Sequence, residues 1–337
     1  LGTVGAAFYL LGVGYLYSVT GSLNMADLAQ ILPSLYESNA VRVGFAFLVI
    51  GLSIKMALFP MHAWLPGAYS DAPSAVSALI AATSTKVAAF ALVRMLFFVF
   101  DPRFSVELIP VTTLLCWMGA IAMILGSVMA LAQSDLKRLL AYSSVAQIGY
   151  IVLGVGLANA DGLTGGLLHI VNHAFMKGCL FLVAGAIVYR TGIREIRGLR
   201  NLSVKMPWTA GAFTVSAFSM IGIPPTCGFF SKLYLILGAI ESEQWFFVAV
   251  ILFSTALALV YFANVIRYIY FPREEHVTGP DNSGGASDLS GLTRHEVPLT
   301  MLVPTVLLAV GVILLGLFNG EVVSQFLVPV IPESFLR

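Results

Sequence analysis

Residues 55–66 have the sequence KMALFPMHAWLP, in which a lysine and then two prolines close a long apolar segment. Proline removes a backbone donor and clashes with the preceding turn, so it frees carbonyl groups inside a membrane helix. A second stretch, GIPPTCGFFSK at residues 222–232, interrupts another apolar segment and also ends in lysine. Such backbone is tolerated in a bilayer only where protein or water surrounds it. The two stretches predict two discontinuous transmembrane helices, with breaks at Pro60, Pro224 and Pro225.

The composition around these stretches is that of a membrane protein. The chain has 337 residues, of which 58% are hydrophobic and 10% charged, whereas soluble domains have about 25% charged residues. No basic tract suggests nucleic acid as a partner. The three cysteines lie in apolar segments without CxxC or CxxH spacing, which gives no reason to propose a metal or redox site.

Apolar segments about 20 residues long recur along the whole chain. Lipid offers no partner to backbone groups, so such segments cross a bilayer as helices. The sequence therefore predicts an all-α, polytopic transmembrane helix bundle with the lipid bilayer as its environment. The nine predicted spans are 1–19, 41–59, 74–100, 109–131, 138–158, 164–189, 208–238, 245–270 and 297–318.

The basic residues predict the orientation of these spans. Alternate connections, at 60–73, 132–137, 190–207 and 271–296, have ten basic residues with their adjoining helix ends, and the opposite set has three. Lys and Arg are enriched in cytoplasmic loops, so the first set should be cytoplasmic and the C-terminus should lie on the outer side of the cell inner (plasma) membrane. The Gly-, Ser- and Pro-containing stretch 273–296 is predicted to be a cytoplasmic loop. The ten residues are Lys137, Arg138, Arg190, Arg194, Arg197, Arg200, Lys205, Arg267, Arg273 and Arg294, and the three are Arg42, Arg103 and Arg337.

Four lysines lie inside the spans, at Lys55, Lys86, Lys177 and Lys232, while every acidic residue lies in a loop, at a helix end or in the tail. A charged side chain at the bilayer centre costs about 2.5–3.5 kcal/mol on insertion scales, and chains retain one mainly for function. Either some of these lysines are neutral, or carboxylates from outside these spans neutralise them. Chains keep such residues when they move ions or protons, or when a partner neutralises them.

The sixth span contains His169, His173 and Lys177 at intervals of four residues. On a helix this spacing forms one stripe, with about 6 Å of rise at each step. Histidine can accept and release a proton near neutral pH. The stripe therefore predicts a proton relay; a metal site is disfavoured because no third ligand stands nearby.

The third span contains Lys86 directly after Thr83, Ser84 and Thr85, which predicts a polar inner face there. Arg94 either shares this face or extends its guanidinium to the membrane surface. The predicted proton path is Lys55, Lys86, His169, His173, Lys177 and Lys232, with no catalytic, cofactor-binding or metal-ligating residue.

Several motifs in order resemble the antiporter-like membrane subunits shared by respiratory complex I and Mrp-type cation/proton antiporters. These motifs cover most of the chain and include the His169–Lys177 stripe. The others are FPMHAWLP at 59–66, APSAVSA at 72–78, DLKRLLAYSS at 135–144, QIGY at 147–150 and the broken stretch at 221–232.

The resemblance implies a bundle of about fourteen helices built from two inverted repeats, of which the nine spans would be the sixth to the fourteenth. It also implies that the six path residues conduct protons, and that a glutamate on an earlier helix pairs with Lys55. Because the chain opens at Leu1 inside an apolar segment, we expect it to lack the N-terminal part of the first repeat and that glutamate.

Within the family, YLLGVG at 9–14, GSLNMADLA at 21–29 and the lysine at position 232 most resemble the D-type membrane subunit of Mrp Na⁺/H⁺ antiporters. The resemblance then implies other membrane subunits as partners, with H⁺, and Na⁺ as a second candidate, as the ions moved. One alternative is a proton-pumping subunit of complex I, an NADH-quinone oxidoreductase. Any redox chemistry would lie in other subunits, because no nucleotide, flavin or iron–sulfur motif is found. The other alternative is a structural membrane anchor without transport.

Overall fold

The computed structural model describes residues 1–271 and 296–336. The predicted loop 273–296, apart from Glu296, and Arg337 lie outside these ranges. Within them the chain is a bundle of α-helices with short 3₁₀ and π turns. The α-helices are α1 (Gly2–Thr20), α2 (Met25–Ile31), α3 (Asn39–Lys55), α4 (Trp64–Asp71), α5 (Ser74–Arg94), α6 (Val111–Leu131), α7 (Leu136–Leu157), α8 (Ala160–Thr191), α9 (Leu202–Lys205), α10 (Pro207–Ile221), α11 (Cys227–Glu241), α12 (Trp245–Tyr270), α13 (Leu299–Leu317) and α14 (Asn319–Val322).

Seven of these helices, α1, α5, α6, α7, α8, α12 and α13, are long and apolar enough to cross a bilayer. The other two predicted spans coincide with the broken helices, because α3 has 17 residues and α10 and α11 have 15 each. The predicted all-α polytopic membrane bundle with two discontinuous helices is therefore confirmed.

One part of the connection predicted at 60–73 is wrong. Residues 64–71 form α4, the short second half of the first broken helix. Trp64, the first residue of this half, donates its indole N–H to the carbonyl of Ile54 near the end of α3, at 2.9 Å. The prolines at 60 and 66 suggested a loop, but Pro66 is the third residue of α4, where its missing N–H costs no helical hydrogen bond.

The central helices are α7 and α8, which pack against each other and against most of the other spans. In an apolar 18-residue stretch of α7, 94% of the residues are buried. Glycine permits this packing: a Cβ at Gly126 on α6 would lie 2.6 Å from the backbone nitrogen of Ala146 on α7. The polar residues of α7 and α8 are thus enclosed by protein rather than by lipid.

Hydrogen bonds between connections define the two sides of the bundle. On one side, the Arg194 guanidinium binds Asp135 at 2.9 Å and the Ser70 carbonyl at 3.1 Å, and Lys137 donates to the Ala72 carbonyl at 3.3 Å. We call this the basic side. On the opposite side, the Asp101 backbone N–H donates to the Tyr36 hydroxyl. The first broken helix runs toward the basic side and the second runs away from it, so they cross in opposite senses.

Candidate functional site: a buried lysine and histidine path

The second break places Lys232 at the C-terminal end of α10. Its ammonium group donates to the carbonyls of Met220 at 3.0 Å and Ile221 at 2.9 Å. The last carbonyls of a helix have no intrahelical partner and carry a partial negative charge, so they attract a cation. Gly222 turns the chain there with a φ of 95°, a conformation that glycine adopts readily.

The Thr255 hydroxyl and the Tyr150 ring complete the surroundings of Lys232. Its ammonium lies 3.3 Å from the hydroxyl of Thr255 on α12 and 4.7 Å above the ring centroid of Tyr150 on α7. The Tyr150 hydroxyl in turn lies 3.2 Å from the Thr255 hydroxyl. Lys232 is therefore linked through side chains to both α7 and α12.

His169 is hydrogen-bonded through both ring nitrogens. Its Nδ1 lies 2.8 Å from the hydroxyl of Ser231, the neighbour of Lys232 in the chain, and its Nε2 lies 2.7 Å from the side-chain oxygen of Gln147. Because the amide oxygen of Gln147 can only accept, this geometry assigns the proton of the neutral ring to Nε2. Ser231 can then donate to Nδ1, which joins His169 to the second break.

His173 differs from His169 although both are fully buried. Its ring stacks 5.9 Å from that of His169, measured between centroids. Neither of its nitrogens has a hydrogen-bond partner among the described residues, and the same holds for the amide oxygen of Asn172. Buried polar groups of this kind are normally satisfied by water. The direct chain of side-chain hydrogen bonds is interrupted at His173.

Two more lysines lie at the other end of the stripe: Lys177, its last residue, and Lys86 on α5. The Lys177 ammonium donates to the Leu140 carbonyl and to the Ser143 hydroxyl, each at 2.7 Å. On α5, the Lys86 ammonium binds the Ala81 carbonyl and the Thr85 hydroxyl. Helices α5 and α8 pack against each other, and a Cβ at Gly178 on α8 would lie 3.5 Å from the Cβ of Ala82, one turn before Lys86 on α5.

The first break leaves Lys55 without such contacts. Helix α3 ends in a Schellman-type turn, in which Leu58 N–H donates to the Ser53 carbonyl and Ala57 N–H to the Ile54 carbonyl. The backbone thus satisfies the helix end, and the half-buried Lys55 makes no hydrogen bond or ion pair with the described residues.

The structure therefore brings five of the six predicted path residues into one enclosed region, and Lys55 lies at the first break without a polar contact to it. Arg94 is exposed on the surface of α5. Sequence reasoning did not assign roles to the side chains that join the path residues, although short polar residues three or four positions apart on α7 were a usable signal. These joining residues are Ser143, Gln147, Tyr150, Ser231 and Thr255.

Among the residues that the structure describes, no buried acidic side chain lies beside these lysines. In residues 1–271 and 296–336, every buried charged side chain is a lysine. Carbonyls, hydroxyls and the faces of aromatic rings supply the negative partial charges. The buried site can therefore hold protons on its bases, but it has no anion of its own within this part of the chain.

A helix bundle with two oppositely directed broken helices and titratable groups at the breaks is an architecture typical of ion-coupled membrane carriers. A family model described as NADH:quinone oxidoreductase/Mrp antiporter, transmembrane, matches residues 1–258. The chain belongs to this family.

Two curated relatives differ in their similarity to the chain. The N-type subunit of the NADH-quinone oxidoreductase of Desulforudis audaxviator is 49% identical over 98% of this chain and 66% of its own length. The D-type subunit of the Na(+)/H(+) antiporter of Alkalihalophilus pseudofirmus is 33% identical over 98% of this chain and 65% of its own. Both family branches are thus represented, and of these two relatives the oxidoreductase subunit is the more similar. The chain spans about two thirds of the length of either relative.

A solved structure agrees with the fold. The chain superposes on a protein of the Mrp complex from a Dietzia species with a TM-score of 0.81 and 30% identity, covering 95% of this chain and 64% of the other.

Proposed function

We propose that this chain is a proton-translocating, antiporter-like subunit of a multisubunit membrane complex. The observation that carries the proposal is the enclosed series of bases Lys86, Lys177, His173, His169 and Lys232. Within it, Lys177 and His169 are hydrogen-bonded to Ser143 and Gln147 of α7, and Ser231 joins His169 to the second break. The side-chain hydrogen bonds of Lys177, His169 and Lys232 connect four helices, α7, α8, α11 and α12, across the middle of the bundle.

Proton transfer along the series needs donors and acceptors at each step. The Ser143 hydroxyl can accept a proton from Lys177 and pass it on. The Ser231 hydroxyl can do the same between His169 and Lys232. At His173 both ring nitrogens are free for water, which would carry the proton across the interruption. Histidine suits this position because it exchanges a proton without moving its backbone.

Lys55 would regulate the series rather than conduct within it. Its ammonium has no partner in the described residues, and the α3 end does not need it as a cap. We propose that a carboxylate outside the described residues pairs with Lys55, and that breaking this pair changes the field acting on Lys86. A charge brought near a buried lysine changes its readiness to release a proton.

We further propose that the basic side faces the cytoplasm of a plasma membrane, in line with the excess of Lys and Arg in its connections. The partners are other membrane subunits of a complex of the NADH-quinone oxidoreductase or Mrp type. The 49% identity to an oxidoreductase subunit supports the first type, and the 33% identity to an antiporter subunit supports the second.

Replacement of the lysines at the two helix breaks tests the proposal. The full-length protein in its complex is prepared in inverted vesicles as wild type, Lys55→Ala, Lys232→Ala and Arg94→Ala. Proton uptake is followed by fluorescence quenching after addition of NADH with a quinone, and separately after a Na⁺ gradient. Under the condition that drives proton uptake in the wild type, NADH with quinone or the Na⁺ gradient, we expect no uptake in either lysine variant. The complex should remain assembled on native gels.

Arg94→Ala is the matched control, because it removes an exposed cation from the same membrane region. It should transport as the wild type does. Wild-type uptake in both lysine variants would contradict the proposal. Loss of assembly together with uptake would instead favour the structural anchor.

A further inference from the structure

Tyr261 on α12 has a buried hydroxyl group without a partner. The residue is 1% exposed, and its hydroxyl makes no hydrogen bond to any residue in the described ranges. Phenylalanine would fill the same space without leaving a polar group unsatisfied, and a buried unpaired hydroxyl costs free energy. Packing therefore does not account for tyrosine at this position.

A cluster of hydroxyl groups lies between Lys232 and this part of α12. Thr255 contacts both the Lys232 ammonium and the Tyr150 hydroxyl. Next to Thr255 in the chain, the Ser254 hydroxyl lies 3.2 Å from the hydroxyl of Ser127 on α6. These groups continue the polar path beyond Lys232, in a direction that the lysine and histidine residues do not take.

Tyr261 extends this cluster toward the basic side. It follows Ser254 by seven residues, or about two turns, so the two share one face of α12. Long side chains in a helix lean toward its N-terminus, and in α12 this is the direction of Ser254. Water molecules would have to bridge the distance between the Tyr261 hydroxyl and this cluster.

We infer that Tyr261 is a proton-conducting residue that connects the Lys232 cluster, through water, to the basic side of the bundle. The inference rests on the proposed function and adds a route to it. The phenol oxygen accepts a proton from a water on one side while its own hydrogen leaves to an acceptor on the other. The residue ends each cycle unchanged, and no oxidant or further reactant is needed.

Tyr261→Phe tests this route in the full-length protein within its complex, in the same vesicle assay. We expect the rate of proton uptake to fall at least tenfold while the unfolding temperature and the amount of assembled complex stay unchanged. Stability should not fall because the hydroxyl has no protein partner to lose.

Tyr36→Phe is the matched control and should show the reverse pattern. Its hydroxyl accepts a hydrogen bond from the Asp101 backbone at 2.9 Å on the opposite side, far from the path. Its removal should lower the unfolding temperature and leave uptake unchanged.

Lys232→Ala, measured in parallel, separates the two proposals. If Lys232→Ala abolishes uptake and Tyr261→Phe transports at the wild-type rate, the Tyr261 route is overturned and the proposed function stands. If Lys232→Ala transports normally, the Tyr261 route is overturned, and the proposed function is overturned with it when Lys55→Ala transports normally too. A Tyr261→Phe variant that loses assembly along with uptake would assign the residue a structural role and overturn the route as well.

Discussion

Both helix breaks contain a lysine near prolines, but the lysine makes different contacts in each. At the first break, backbone N–H groups of Ala57 and Leu58 bind the last carbonyls of α3, and Lys55 stays half-buried without a partner among the described residues. At the second, the Lys232 ammonium itself binds the last carbonyls of α10 and is 5% exposed. One lysine is available to a group elsewhere, and the other is part of the helix end.

This difference suggests different functional roles for similar motifs. A lysine that already binds two carbonyls and a hydroxyl keeps its position as its protonation changes, which suits a conducting site. A lysine without local partners responds to a charge that approaches or leaves, which suits a control site. The surroundings of each lysine, rather than its distance from a proline, separate the two roles.

The largest expected effect concerns how tightly each break is packed. A Cβ at Gly228, in the second break, would overlap the Ser219 carbonyl oxygen, whereas a Cβ at Gly67 in α4 would meet no atom within 4 Å. Gly228→Ala should therefore lower the free energy of unfolding by about 3 kcal/mol or more, since backbone must move. Gly67→Ala should raise it by about 0.5–1 kcal/mol, because alanine favours a helix.

Both free energies can be measured by denaturant titration of the purified protein in mixed micelles. A Gly228→Ala variant as stable as the wild type would mean that the second break is not closely packed.

Arginine in place of each lysine sharpens the comparison while keeping the charge. Lys232→Arg places a larger, planar group in an enclosed site, and overpacking costs about 1–3 kcal/mol. Lys55→Arg should change the free energy of unfolding by less than about 0.5 kcal/mol, as is usual away from packed contacts. Equal losses in the two variants, measured by the same titration, would remove the distinction between the two sites.

The residues with a positive φ in the two breaks should also differ in how much their substitution changes stability. Gly222 has a φ of 95°, and a Cβ there would lie 3.2 Å from Lys232 Cδ. Gly222→Ala should cost about 1–2 kcal/mol from the backbone conformation alone. Ala57 already has a φ of 59°. Ala57→Gly relieves backbone strain but loses about 0.8 kcal/mol of methyl burial, so the free energy of unfolding should hardly change. A thermal shift larger for Ala57→Gly than for Gly222→Ala would contradict this order.

The smallest effect concerns the anchor of α4. Arg194 holds the end of this half-helix through the Ser70 carbonyl and pairs with Asp135, but its side chain is 44% exposed. Exposed pairs contribute little, so Arg194→Gln should cost about 0.5–1 kcal/mol. Arg197→Gln, which removes an exposed guanidinium nearby, should cost nothing measurable. A loss well above 1 kcal/mol for Arg194→Gln would show that α4 depends on this contact more than its exposure implies.

Much of the fold could be predicted because membrane helices leave a strong linear signal. A run of about 20 apolar residues has few alternatives in lipid, so the predicted spans coincide with helices to within a few residues. The helix α4 escaped prediction because eight residues containing a proline and a glycine have no such signal. One contact that positions it, from Trp64 to the Ile54 carbonyl near the end of α3, forms only in the folded chain.

The path was predictable in part for a related reason. Charged and histidine side chains in apolar segments are rare, which made the six residues visible. Their partners, among them Gln147, Ser231 and Thr255, are ordinary residues in such helices. Which of them meets a lysine is decided by how α7, α11 and α12 rotate about their axes when they pack.

The sequence by itself determined that the chain is a bundle of membrane helices, two of them broken, with lysines at both breaks. These features follow from local chemistry: apolar length, proline geometry and the cost of a charge in lipid. Only the tertiary structure decided that Lys232 caps a helix while Lys55 does not, and that His173 lies where the hydrogen-bond chain is interrupted. Those properties depend on distances between residues far apart in the chain, which packing alone sets.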